Sequence, residues 1–209
     1  AHRAERLTAI EEPFLFSAAR TADGWLAGTG NAGRIVKIAR DGTTSTLFET
    51  EEPEVFAVWV DDDGTVFAGS SPDGKVYRYR DGERTVLFDP AQKYIWKIVR
   101  VPGGDLLVAT GTEGKIFKVQ DDGTSELLYD SEDTHIRSLL PMPDGSLLVG
   151  TAGQGLVLQI NAQGRARTLY DAAAPEVLDF VRTPEGGAYF AVLGSESSLV
   201  DLSRRSNDS

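Results

Sequence analysis

Cysteine is absent from the 209 residues, so the fold has no disulfide frame, no thiolate metal site and no cysteine nucleophile. No apolar run approaches the roughly 20 residues a helix needs to cross a bilayer, and the opening AHRAERLTAIEEP lacks the apolar middle of a signal peptide. Basic charge is in deficit, with 21 Lys and Arg against 32 Asp and Glu and a formal charge of −11. Such a chain repels a phosphate backbone and an anionic membrane, so neither nucleic acid nor membrane is an expected partner. Histidine occurs twice, and asparagine only at Asn31, Asn161 and Asn207. What is abundant is apolar residues, at 41%, and glycine, at 22 residues.

The glycines are periodic. Gly24, Gly64, Gly104, Gly145 and Gly186 follow one another at steps of 40, 40, 41 and 41 residues, and fixed spacing of this kind is the mark of a repeat architecture. A second set, Gly33, Gly74, Gly114 and Gly155, precedes the alternating runs RIVKI, KVYRY, KIFKV and LVLQI; a third, Gly42, Gly82, Gly123 and Gly164, precedes short runs ending in Leu-aromatic. Three turns separate four segments per unit, each too short for a helix and rich in β-branched and aromatic residues. A four-stranded meander has two apolar faces and cannot bury both alone, whereas units packed radially cover one another.

The expected fold is therefore all-β: a five-bladed β-propeller of four-stranded antiparallel blades. It forms one domain over 1–209, with repeats at approximately 14–53, 54–93, 94–134, 135–175 and 176–203. The fifth repeat stops after its third strand, and RLTAIEEPF aligns with TLFETEEPE of the next unit. Residues 4–10 are thus expected to supply the missing outer strand and seal the ring, leaving a monomer without exposed sheet edges.

Two motifs are declined. Gly28, Gly30 and Gly33 stand in the spacing of a dinucleotide loop, but period-two alternation follows where a helix would be needed. The stretch from Gly69 to Val76 mimics a phosphate loop, yet ends in Val76 where a magnesium-binding hydroxyl belongs. Asn207-Asp208-Ser209 spells a glycosylation acceptor at the chain terminus.

In a propeller the first strand of every blade lines the axis. The aligned first strands begin FLFSAA, EVFAVW, YIWKIV, HIRSLL and EVLDFV; their second position is apolar in every copy and belongs to the core. The first position varies: Phe14, Glu54, Tyr94, His135 and Glu176. The third and fourth add Trp96, Lys97, Arg137 and Asp179. Polar and aromatic groups converging on one axis make Glu54, Tyr94, Trp96, His135, Arg137, Glu176 and Asp179 the candidate ligand-binding residues. No cofactor is expected, with one alternative: Glu54, His135 and Glu176 as ligands of a divalent cation. Glu11, Glu12, Glu49, Glu51, Glu52, Asp130, Glu132 and Asp133 fall in loops on the same end, which is expected to be acidic and to favour a basic partner. Trp25, Trp59 and Trp96 could stack on a sugar, but they occupy positions filled by apolar residues in sister units, so core packing is the expected job of all three, Trp96 being also a candidate at the axis.

DGSLLVGTAGQGLVLQI and HIRSLLPMPDG resemble the repeats of two-component regulator propellers, NHL-repeat propellers and gluconolactonase-like propellers. The likeness spans all five units, though Leu148 to Thr151 reads Leu-Val-Gly-Thr where the sensor repeats carry Trp-x-Gly-Thr, and the WD dipeptide of another propeller class is missing. The resemblance implies either a non-catalytic module binding a peptide, protein or glycan, or a metal-dependent lactonase-like hydrolase. The scarcity of asparagine, with none on a first strand, counts against the second. A Ser-His-Asp hydrolase is weaker still, since Ser138 and His135 fall on different faces of one strand.

Overall fold

A computed structural model describes residues 6–101 and 104–194, and among them there are only strands, turns and loops. Four complete meanders follow one another. The first comprises β1 (Leu15–Thr21), β2 (Gly24–Thr29), β3 (Arg34–Ala39) and β4 (Thr44–Glu49), and the second β5 (Glu54–Val60), β6 (Val66–Ser71), β7 (Gly74–Arg80) and β8 (Glu83–Gln92). The third comprises β9 (Tyr94–Arg100), β10 (Leu106–Gly111), β11 (Lys115–Val119) and β12 (Ser125–Asp130), and the fourth β13 (His135–Pro141), β14 (Leu147–Ala152), β15 (Leu156–Ile160) and β16 (Ala166–Asp171). Of the fifth, β17 (Glu176–Arg182) and β18 (Ala188–Leu193) are described. Neighbouring strands within each unit are antiparallel, and isolated bridges from Gly111 to His135 and from Ala152 to Glu176 tie the end of a second strand to the start of the next unit's first strand in the last three units.

The corners repeat as faithfully as the strands. A hydroxyl closing each second strand accepts the backbone N–H that opens the third: Thr29 from Arg34, Ser70 from Lys75, Thr110 from Lys115 and Thr151 from Leu156, at 3.0–3.1 Å. These bonds satisfy backbone donors that the tight corner takes out of the ladder. The dinucleotide and phosphate look-alikes are both such corners.

Four apolar clusters fill the four seams between successive units. That between the second and third, for example, joins Ala57, Phe67 and Val76 to Ile95, Ile98, Leu106 and Val108. At the second position of the first strand, Val55, Ile95, Ile136 and Val177 are each fully buried, whereas their counterpart Leu15 is 53% exposed. At the other end Tyr189 is 75% exposed, while its counterparts Leu26, Phe67, Leu107 and Leu148 are at most 8% exposed. The near face of the first unit is therefore open at Leu15, although Ala27 and Val36 on the same face are buried, and the far face of the fifth is open at Tyr189, among the described residues. Trp25, expected in the core, lies on that near face and is 43% exposed.

The expected closure is not seen among the described residues. Residues 6–10 form no strand, and β18 pairs with β17 alone; residues 4, 5 and 195–203, together with the Asn207 acceptor, lie outside the described residues. The alignment of the opening segment nevertheless holds locally. The Leu7 carbonyl lies against Gly42 as those of Leu87 and Leu128 lie against Gly123 and Gly164, so Leu7 runs where the outer strand of a preceding unit would. Each of these glycines has a positive φ, and a Cβ would strike that carbonyl.

Candidate functional site

Every first strand breaks register with its partner at the same place. The ladder skips Phe16, Phe56, Trp96, Arg137 and Leu178, one per unit, each being the extra residue of a β-bulge. A bulge bends the strand and re-aims its side chain, and here all five bulged residues turn onto one axial cavity of about 510 Å³. The cavity runs along the first strands from this ring to Arg20 and Val60, past the apolar walls of Ala18, Val58 and Ile98. Lys97 and Asp179, one residue beyond the ring, meet across it from the third and fifth units at 2.9 Å.

Behind the ring four of the first-position residues, Phe14, Tyr94, His135 and Glu176, form a second layer. Tyr94 stacks on Trp96 with centroids 4.8 Å apart and planes 9° from parallel. Phe14, Phe16, Phe56 and Trp96 continue the series of ring contacts at 4.6–5.8 Å. The Trp96 indole donates its N–H to Nδ1 of His135 at 3.0 Å. Since an indole nitrogen only donates, this contact requires an unprotonated Nδ1. Gly111 lies directly beneath the pair, and a Cβ there would collide with both rings. The Arg137 guanidinium covers the Trp96 face at 3.8 Å, with Glu176 at 3.7 Å from its Nε, and burial pulls its pKa down while Glu176 opposes.

Of the residues singled out from sequence, Trp96, Arg137 and Asp179 line the cavity, while Tyr94, His135 and Glu176 back them and Glu54 does neither. Glu54, His135 and Glu176 do not come together as a metal-holding group, and no three His, Asp or Glu among the described residues do. Phe16, Phe56 and Leu178 were missed because an apolar residue on a strand reads as core. The signal was the third position itself, large in all five copies.

The acidic end is also corrected in part. Glu12 and Glu52 are nearly buried and held by Arg34 and Lys75 at 2.9 and 2.8 Å, and the same cations reach Glu49 and Glu51. Asp133 is 6% exposed and accepts the Gln154 N–H. Glu12, Glu52 and Asp133 therefore fasten loops and corners, while Glu49 and Glu51 remain more than half exposed.

Burial first, and the Arg137 charge second, push the His135 pKa below the usual imidazole value of 6.5, with Glu176 opposing. A depressed pKa means the unfolded chain binds the proton more readily, so this residue's contribution to stability is lost as pH falls below about 6.5. In a proton-detected titration the His135 ring is expected to titrate below 6.5 with a coupled shift of the Trp96 indole proton. A midpoint at or above 6.5 would contradict the buried acceptor.

No family model and no curated protein sequence matches the chain. Solved structures do. A virginiamycin B lyase from Staphylococcus aureus superposes with a TM-score of 0.73 at 16% identity, over 85% of this chain and 63% of that one. A gluconolactonase from Xanthomonas campestris gives 0.70 at 14%, over 86% and 69%, and a nidogen/laminin complex 0.66 at 13%, over 80% and 70%. The fold is that of the β-propellers. The chain spans less than two thirds of the length of the lyase it matches, and the fold-level likeness to gluconolactonase-like propellers agrees with the repeats.

Proposed function

We propose that this propeller is a recognition module that binds a peptide, protein or glycan through its axial cavity. The observation that carries the reading is the ring of bulged residues. Five strands spend an irregularity at the same position, and each aims its extra side chain at one cavity of a size that ordinarily holds a ligand. Fold alone does not choose between binding and chemistry, since its solved examples include a lyase, a gluconolactonase and a nidogen/laminin complex. A lactonase-like hydrolase would need an assembled set of cation ligands, and Glu54, His135 and Glu176 are not such a set.

Trp96 sits in the ring and reports occupancy. Trp59 lines the same cavity, so a panel of peptides and oligosaccharides is expected to contain members that change tryptophan emission in the unaltered protein and change it markedly less in Trp96→Leu, with circular dichroism unchanged. Calcium, zinc, magnesium and manganese are expected to leave the melting temperature unmoved. A rise with any of them, by linkage, would favour the hydrolase.

A further inference from the structure

The charge of the cavity opposes that of the chain. Arg20, Lys97 and Arg137 face it against Asp179 as the one carboxylate in its lining, within a protein whose formal charge is −11. Lys97 is occupied by Asp179. Arg137 is paired only loosely: its Nε is buried without a hydrogen-bond partner among the described residues, and the carboxylate of Glu176 stands at 3.7 Å, beyond hydrogen-bond reach. Stacking on Trp96 fixes the plane of this guanidinium, and a guanidinium held by its face presents its edge as a fork of N–H donors. The rings of Trp96, Phe56 and Phe16, with Phe56 touching the other two, line the same space.

Resting on the reading of the cavity as the binding site, we infer that the ligand carries a carboxylate next to an aromatic ring. The carboxylate pairs with the edge of Arg137, and the ring packs against Phe16, Phe56 and the rim of Trp96, whose faces Tyr94 and Arg137 already cover. Bidentate Arg–carboxylate bonds in a partly desolvated site are among the stronger polar contacts, and edge-on or tilted ring contacts add to them. The net negative charge of the chain does not forbid this, because at physiological ionic strength it is screened beyond about 8 Å, whereas the fork acts at contact. A free aromatic acid and the carboxyl-terminal aromatic residue of a peptide present the same chemistry.

Calorimetric titration with four probes separates the possibilities: 3-phenylpropionate, its primary amide, the peptide Gly-Gly-Gly-Phe with a free carboxylate, and that peptide as its amide. Each acid is expected to bind at least about tenfold more tightly than its amide. Arg137→Gln is expected to abolish the difference between acid and amide, and the tighter of the two acids in the unaltered protein identifies the source. The acid-to-amide ratio in the unaltered protein needs no variant, so the test survives if Arg137→Gln fails to fold. Equal binding of acid and amide overturns the inference but leaves the cavity as the binding site. Failure of all four up to about 10 mM overturns it too; in that case an emission change at Trp96 with glycans or uncharged peptides preserves the broader reading, and silence across the whole panel removes both.

Discussion

Ile95→Ala is expected to lower the free energy of unfolding by about 3 kcal/mol, and Leu15→Ala by less than about 0.5 kcal/mol, although both residues occupy the second position of a first strand. Ile95 is fully buried in the seam between the second and third units, where Gly69 leaves room for its side chain and Ala57, Phe67 and Val76 surround it. Truncation there removes buried methyl groups and leaves a cavity that packed strands cannot collapse to fill. Leu15 has the same strand register but faces no preceding unit among the described residues, and its side chain is 53% exposed. Urea unfolding of the two variants measures the contrast directly. Equal losses would mean that Leu15 is covered in solution as its counterparts are.

That contrast also marks what sequence could and could not reveal. Repeat spacing located all the described strands, because glycine turns and two-residue alternation are local properties that a window of a few residues carries. The axis was legible for the same reason: once units are aligned, Trp96, Lys97, Arg137 and Asp179 fall on equivalent strands. Three things were not local. The bulge that turns Phe16 and Phe56 inward depends on how the partner strand pairs, and nothing in either strand alone announces it. The carboxylates of Glu12 and Glu52 looked like an anionic surface because their cations, Arg34 and Lys75, arrive from strands two turns later in the chain. Residues 4–10 resemble an outer strand, and Leu7 is placed like one, but resemblance to a strand does not say which sheet lies beside it.

Lys75→Met is expected to destabilise the protein by about 2 kcal/mol, the cost of leaving a buried carboxylate short of its charged partner. Glu52 is 6% exposed. Lys75 reaches one of its oxygens at 2.8 Å and the fully buried Tyr77 hydroxyl donates to the other at 2.8 Å. Burial pushes the Glu52 carboxyl up, but the hydrogen bonds from Lys75, Tyr77 and Ser70 together outweigh it and hold the pKa below the usual 4.5. In the same network Tyr77 is pushed up to about 12, by burial first and by its bond to Glu52 second. A carboxyl depressed in the folded state stabilises fully above its unfolded value and loses that contribution as pH falls through the folded one. The unaltered protein should therefore lose more melting temperature than Glu52→Gln between pH 5 and the depressed folded value, which lies below about 4.5. Combining Glu52→Gln with Lys75→Met should cost less than the two losses added, because the second change no longer strands a charge. Strict additivity would mean that the two side chains do not hold each other in solution. The matching pair in the first unit should give a smaller effect, since Arg34 is 43% exposed and water already solvates the cation that Glu12 would lose.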